Sequence, residues 1–387
     1  MKLKSTLALA VLAMATSGSI AQTQGVSKNE IVIGSIQDLS GPIAAFGKQV
    51  RFGMQLRVDE LNEQTGGIHG RKIKLLIEDS QYDPKKAVLA AQKLVNQDKI
   101  FAMLAHLGTT ANLATMPIQF AKNVPNLSPI TASKEMYEPY HKLKFGFTAS
   151  YFDQMRIHLP RLVKEKGSKK VCTIYQDDDF GTEVMQGAEA GLKTIGMSLA
   201  EKTTYKTGAT DFSSQMARLK AADCDFVVLG TIIRETIGAI GTAKRSGFNP
   251  VFFGSSASYT DLIHRLGTRA MDGLYAVHTV QHPYLDSASQ PIRFWATKYQ
   301  TKFNEDPTVF SVYGYAAIDN FITAAQKAGP NLTTDSLVKA LETTTIPSDI
   351  FGSPEVKFGP NKRQGSDLSR LSQIVEGKWK VISEYVR

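Results

Sequence analysis

Ile31-Val32-Ile33-Gly34-Ser35-Ile36, followed by Asp38-Leu39-Ser40-Gly41-Pro42 and an amphipathic run from Phe46 to Glu63, sets the pattern for the whole chain. The first piece is a short apolar run ending in small residues, which suits a strand buried on both faces. The second is a loop punctuated by Gly and Pro. In the third, Val50, Met54, Val58 and Leu61 recur every three or four residues, the spacing of one helix face. Thr65-Gly66-Gly67 ends that helix, and Ile73 to Glu78 reads as a second strand. Strand, loop, helix and strand again is the unit of a parallel sheet.

The unit recurs. Pro84 to Asn96 reads as a helix with Asp83 as its cap and Pro84 at its first position. Phe101 to Leu104 is a strand, Thr110 to Ala121 a helix, and Asn126 to Pro129 a strand segment. Downstream, the strands Val171–Tyr175, Ser198–Tyr205, Phe226–Leu229 and Val251–Phe253 alternate with the helices Thr182–Thr194, Phe212–Ala221 and Thr236–Ser246. Two such runs predict two parallel sheets, each covered by helices on both faces. The tail differs: Ser289–Phe303, Val309–Ala328 and Thr334–Thr343 are helical, the last capped by Thr334 or Asp335. Leu371–Val375 and Trp379–Ile382 around Glu376-Gly377 form a hairpin. Helices and strands that return after two complete α/β units predict discontinuous domains.

Composition narrows the function. A chain of 387 residues suggests two or three domains, and 42% apolar with 21% charged residues is the balance of a globular protein. Two cysteines exclude a disulfide scaffold and a cysteine-based zinc cluster. Cys172 and Cys224 lie on or just before strands of the second run; they read either as two separate buried thiols or as a pair. Lys2 and Lys4, the apolar run Leu7–Ala15 and Ser19-Ile20-Ala21 have the layout of a secretory leader over 1–21. The expectation is an exported, periplasmic protein without a lipid anchor, since no Cys follows the cleavage point. The net charge of +9, two fewer without Lys2 and Lys4, comes from scattered lysines. No nucleic-acid motif accompanies them. Such a surface attracts anionic solutes.

No Walker A sequence, G-x-S-x-G elbow, H-E-x-x-H or G-x-G-x-x-G occurs, and the seven histidines form no metal-ligand motif. The expectation is a protein that is not an enzyme and uses no cofactor or metal.

Several segments together resemble the periplasmic solute-binding proteins of the Leu/Ile/Val-binding type, the receptors of ATP-driven (ABC) amino-acid importers. They are Ile31-Val32-Ile33-Gly34 with Leu39-Ser40-Gly41-Pro42; Asn62 through Lys72; Asp79-Ser80-Gln81-Tyr82-Asp83-Pro84 with Ala87; His106-Leu107-Gly108-Thr109-Thr110; Ser128-Pro129; and Asp178-Asp179-Phe180-Gly181. Their order and spacing cover much of the first lobe and the start of the second. The resemblance implies a type I periplasmic binding protein, with two Rossmann-like α/β lobes whose parallel sheets are joined by a three-crossover hinge. By that analogy the crossings fall near 147–150, 277–281 and 358–364. One lobe would comprise 26–148 plus 281–360, the other 149–280 plus 361–387. The implied partners are a small-molecule carboxylate and membrane permease subunits, with the protein itself a monomer.

Ligands of open α/β sheets bind beyond the carboxyl ends of strands. The leading candidate is strand 101–105 running into His106-Leu107-Gly108-Thr109-Thr110, where the following helix offers free N–H groups to an anion. Thr109 and Thr110 add hydroxyls, unless one merely caps the helix. The family's carboxylate site matches this loop. The second wall is Ile130-Thr131-Ala132. The resemblance implies a hydroxyl at Ala132, which has none, so Thr131 or Ser133 must stand in. It also implies that Phe46 and Phe180 close over the ligand, the alternative being two core residues. The aspartates 177–179 read as a solvated loop with one helix cap. In receptors for branched amino acids an acid follows the strand matching Val251–Phe253 and pairs with the ligand ammonium. Here that loop, Gly254 to Tyr259 with Ser256, contains no acid. Ile233 and Arg234 reach the cleft edge, and Glu235 either supplies the acid or pairs with Arg234 at the surface. Tyr82, Tyr151 and His106 complete the candidates, His106 also reading as a buried strand-end residue.

A desolvated ammonium without an anion is costly. The expected ligand is therefore a carboxylate with an apolar body, an aromatic or branched aliphatic acid, bound by lobe closure. The alternatives are a true branched-chain amino-acid receptor and a sensor presenting its solute to a chemotactic or regulatory partner.

Overall fold

The computed structural model describes residues 23–387, so the predicted leader lies outside the described residues. Five strands, β1 (Glu30–Gln37), β2 (Lys72–Asp79), β3 (Ala102–Leu104), β4 (Asn126–Leu127) and β5 (Lys144–Phe145), form one parallel sheet in the order β2-β1-β3-β4-β5. Between them run α1 (Ala44–Gln64), α2 (Pro84–Gln92) and α3 (Thr109–Phe120). Asp83 caps α2, its side chain accepting from the N–H groups of Lys85 and Lys86, and Lys93–Gln97 extend that helix as a π-turn.

A helix that the sequence analysis did not assign, α4 (Tyr151–Lys166), opens the second lobe. It buries Tyr151, Met155, Leu159 and Leu162 on one face, starts at the Ser150 cap and stops at Gly167 in the left-handed region. Pro160 inside it masks the pattern, because a helix-interior proline reads as a breaker. The strands β6 (Val171–Gln176), β7 (Glu201–Tyr205), β8 (Phe226–Gly230), β9 (Val251–Gly254) and β10 (Tyr275–His278) follow, with α5 (Asp179–Lys193), α6 (Ser213–Ala221), α7 (Ile233–Arg245) and α8 (Asp261–Gly267).

The tail adds α9 (Gln290–Phe303), α10 (Val309–Ala328) and α11 (Thr334–Thr343). The cap of α11 is Thr333, bonded reciprocally with Ser336, which corrects the expected Thr334 or Asp335. A short antiparallel pair, β11 (Thr345–Ile346) and β12 (Val356–Lys357), precedes the hairpin β13 (Arg370–Val375) and β14 (Lys378–Val381). The hairpin pairs antiparallel with β10 and completes a seven-stranded sheet, β14-β13-β10-β9-β8-β6-β7. Two lobes of α/β construction result, as expected.

The late helices return to the first lobe, where α10 packs along α1. Gly53 and Gly314 permit this: a Cβ on Gly53 would lie 1.9 Å from the Ser311 carbonyl oxygen, and one on Gly314 2.2 Å from that of Val50. This close crossing brings Phe310 against Phe46.

Cys172 and Cys224 form a disulfide, with their Cα atoms 5.9 Å apart. This corrects the reading of two separate thiols. Strand β6 lies beside β8, and Cys224 precedes β8 by two residues, so pairing in the sheet brings the two sulfurs together.

Candidate ligand-binding site

The site starts where β3 ends. Leu107 N–H donates to the Ile36 carbonyl at 3.0 Å, and Gly108 N–H to that of Ile130 at 3.2 Å, so the loop is fastened on both sides. Asn112 Nδ2 donates to the carbonyls of His106 (2.8 Å) and Gly108 (2.7 Å). Those carbonyls are thereby occupied, while the N–H groups of Thr109, Thr110 and Ala111 at the start of α3 have no backbone acceptor. Gly108 is the N-cap residue, with φ of 96° and no side-chain cap. Its positive φ favours glycine, and a Cβ there would press on the Tyr82 ring at 2.9 Å. Neither threonine caps the helix.

Thr109 Oγ1 lies 2.6 Å from Thr131 Oγ1, both buried. The Ala132 carbonyl accepts from Tyr151 N–H at 2.7 Å. The Ser133 hydroxyl is engaged with Glu135, so Thr131, not Ser133, presents a hydroxyl beside Ala132.

Ten of the fourteen residues singled out in the sequence line one cavity: Phe46, Tyr82, Gly108, Thr109, Ile130, Thr131, Ala132, Tyr151, Phe180 and Ser256. It encloses about 590 Å³ of atom-free space, its mouth included. Four lie elsewhere. His106 is wholly buried behind the loop, its Nδ1 3.2 Å from Thr115 Oγ1, and burial lowers its pKa to about 3, so it is neutral. Thr110 donates from Oγ1 to Asp179 Oδ2 at 3.0 Å, across to α5. Ile233 starts α7 while its neighbour Ile232 lines the cavity. Arg234 Nη2 donates to the Pro42 carbonyl at 3.1 Å, tying the second lobe to the first-lobe loop.

The expected surface pair of Arg234 with Glu235 is also corrected. The helix starts at Ile233, three residues earlier than predicted, which turns Glu235 inward; burial raises its pKa and the Arg234 charge opposes that rise. Asp178 caps α5 through Gly181 N–H at 3.0 Å, and burial raises its pKa, while Asp177 and Asp179 on either side are exposed, in line with the expected solvated loop with one helix cap.

Ile43, Leu107, Ile232, Ala257, Phe310 and Tyr313, together with Phe147 and Thr148 in the expected crossing, also line the cavity and were not among the candidates singled out in the sequence. Phe310 stacks on Phe46 with ring centroids 3.6 Å apart, and Tyr151 meets Phe180 edge-on at 4.9 Å. Phe46 and Phe180 are therefore both core residues and cavity walls. Phe310 lies some 260 residues beyond Phe46, and the first turns of its helix, buried from Val309 to Gly314, carry no local mark of a site.

None of the lining residues is an Asp, Glu, Lys, Arg or His. The polar groups facing inward are the hydroxyls of Thr109, Thr131, Thr148 and Ser256 and three phenols; burial holds Tyr151 at about 12 and raises Tyr82, so both stay protonated. The site offers donors and apolar walls, with no metal ligands. Among the described residues no group of three or more His, Cys, Asp or Glu is placed to hold a metal, and no helix is long and apolar enough to cross a membrane.

A family model described as periplasmic binding protein matches residues 30–378. This chain belongs to that family. As a periplasmic binding protein it is a substrate-binding component of transport, not an enzyme; such proteins bind small molecules and deliver them to permeases. It is similar to Leu/Ile/Val-binding protein homolog 8 of Brucella abortus (strain 2308), 24% identical over 364 residues, 90% of this chain and 89% of that one. Its fold matches a fatty acid ABC transporter substrate-binding protein from Thermomonospora curvata at a TM-score of 0.85 and 22% identity, covering 94% of each chain. It also matches an ABC transporter solute-binding protein from R. palustris in complex with benzoate, at a TM-score of 0.80 and 17% identity, over 92% of this chain and 96% of that one. At these identities the two structures show a shared fold.

Proposed function

We propose that this periplasmic binding protein captures a small carboxylate with an apolar body, an aromatic or branched aliphatic acid, for an ABC importer. The observation that carries the reading is a cavity with amide and hydroxyl donors at one end and no charged side chain on its walls. A carboxylate set on the amides of Thr109, Thr110 and Ala111 receives hydrogen bonds and the positive end of the α3 dipole, worth up to about 2 kcal/mol in a partly buried setting. Thr109 and Thr131 add hydroxyls, and Phe46, Phe180, Phe310 and Tyr313 enclose the apolar part. Relatives whose names specify a fatty acid or benzoate accord with an acid lacking an amino group.

The lobes are taken as 26–148 plus 281–360 and 149–280 plus 361–387, and the protein as an exported monomer of the periplasm. Ligand bridges the lobes and so favours the closed form, which docks on a membrane permease. Thr110 to Asp179 and Arg234 to Pro42 are bonds that closure makes and opening breaks.

The competing reading, a branched-chain amino-acid receptor, rests on the name of the Brucella relative. Against it stands the lack of an acid on the wall. Glu235 is buried and does not line the cavity, so an ammonium there is left without an anion. Calorimetric titration with benzoate, cinnamate and L-leucine decides between them. Tight leucine binding with no binding of the aromatic acids overturns the proposal. Loss of acid uptake in a deletion strain, in place of a lost chemotactic or regulatory response, separates transport from sensing.

A further inference from the structure

Glu183 occupies an unusual position. It projects from α5 of the second lobe and is 3% exposed. Its Oε1 accepts the N–H of Lys134, in the first-lobe turn Lys134–Met136, at 3.0 Å, and the N–H of Phe152, in the first turn of α4, at 3.3 Å. Its Oε2 is buried with no hydrogen-bond partner. The turn that it holds continues directly from Thr131 and Ala132, which line the cavity.

We propose that Glu183 is the latch that fastens the ligand-binding loop to the opposite lobe, and that closure takes up a proton from solvent at this carboxyl, so that capture is coupled to pH. The inference rests on lobe closure as the mode of binding, but not on which acid is bound.

The surroundings of Glu183 are set against a charge. Glu135 faces it from the turn and takes the hydrogen bond of the Ser133 hydroxyl, and Asp153 lies on the same first turn of α4 as Phe152. The phenols of Tyr137 and Tyr151 are nearby, both raised by burial and therefore neutral. The one adjacent cation, Lys134, has its Nζ over the Phe152 ring at 5.3 Å, and no Lys, Arg or His forms an ion pair with Glu183 among the described residues. An ionised carboxylate would leave Oε2 desolvated beside a second acid, whereas a protonated one has a donor to place there. Burial raises the pKa to about 7, the Glu135 charge adding to it and the neighbouring Ser133 hydroxyl and the N–H bonds from Lys134 and Phe152 opposing it. In an open form the Lys134 bond is broken and water reaches the carboxyl, which returns toward the ordinary value of about 4.3. The pKa is higher in the closed form, so protonation favours closure: the gain is full below about 4 and is lost as pH rises through about 7.

Calorimetry with benzoate and with L-leucine across pH 5.5–7.5 tests this. For whichever probe binds, the wild-type affinity should weaken roughly twentyfold over that range, with net proton uptake measured in buffers of different ionisation enthalpy. Glu183→Gln, neutral and of the same shape, should hold the low-pH affinity throughout. Glu135→Gln should move the transition to lower pH, and it serves alone if Glu183→Gln does not fold. A wild-type affinity independent of pH, an unaltered slope in Glu183→Gln or an unshifted transition in Glu135→Gln overturns the latch. If neither probe binds, the proposed ligand class fails while the latch remains testable by X-ray scattering of the unliganded protein. Its radius of gyration should shrink from pH 7.5 to 5.5 in wild type and stay constant in Glu183→Gln; a wild-type radius independent of pH overturns the latch.

Discussion

The hydroxyl oxygens of Thr109 and Thr131 stand 2.6 Å apart, one at the first position of a helix and the other on the loop beside it. One hydroxyl donates to the other, and each can rotate toward an anion seated on the neighbouring amides. Replacing Thr131→Val removes one donor at nearly constant volume. Benzoate affinity should fall about tenfold by calorimetry, the worth of one hydrogen bond to a charged group. Thr109→Glu places a carboxylate where the ligand's own belongs and should abolish binding of any acid with the fold intact by circular dichroism. Unchanged affinity in either variant removes the anion site from these amides.

An acid on the bare wall should change what is bound. Ala257 lines the cavity next to Ser256, whose N–H is held by Gln154 Oε1 at 2.9 Å, so the backbone there is anchored. Ala257→Asp supplies a partner for an ammonium and repels a simple carboxylate. L-Leucine affinity should rise at least tenfold while benzoate affinity drops by a similar factor, measured by competition. A variant that still prefers benzoate argues that specificity is set elsewhere.

Cys172 and Cys224 close a loop with a sequence separation of 52. A cross-link of that span restricts the unfolded chain by about 4 kcal/mol in the chain-entropy model, with measured values often lower. The double variant Cys172→Ser, Cys224→Ser should lose about 2–4 kcal/mol in urea unfolding. Ligand affinity should be unaltered, since neither residue lines the cavity. The same loss should appear on reduction of the native protein.

Asp261, almost buried at the start of α8, has Arg265 Nη1 at 3.0 Å and His282 Nε2 at 3.2 Å. Burial pushes its carboxyl up, but His282 and Arg265 outweigh that and hold it at about 2, below the ordinary 3.8. A depressed acid stabilises the fold fully above about pH 4, and that contribution fades as pH falls through about 2. Asp261→Asn should therefore cost roughly 2 kcal/mol at pH 7 and progressively less toward pH 2, read as melting temperature against pH. A constant deficit across that range would show that the pair is not what Asp261 contributes.

Much of the fold was legible because the repeating unit is local. Strands β1 to β4 and helices α1 to α3 follow from apolar runs, Gly-Pro loops and three-to-four spacing, each decided within about 20 residues, whereas the two-residue β5 shows no pattern. Among the elements left unassigned, which include α8, β11 and β12, α4 failed for an equally local reason: Pro160 interrupts a pattern whose buried face only the packed structure reveals. The strand β10 follows the turn dipeptide Asp272-Gly273, but at four residues it is too short to display a period, and β9 and β13 flank it.

The site divides in the same way. The helix-start loop 106–110 could be found because strand end, glycine and hydroxyls are adjacent in sequence. His106 and Thr110 could not be sorted from Thr109, since which side chain faces the cavity depends on the rotation of the first helical turn. Arg234 and Glu235 were misplaced by a helix that begins three residues early, enough to exchange inside for outside.

By itself, then, the sequence determined the architecture: alternating strands and helices, two lobes and an anion-ready helix start, all written in short-range periodicity and backbone chemistry. The tertiary structure alone decided the chemistry of the enclosed space. The Phe310–Phe46 stack, the missing wall charge and the bonds from Glu183 to both Lys134 and Phe152 join segments 30 to 260 residues apart. Such contacts arise from burial and close packing among distant elements, for which a linear pattern has no period to display.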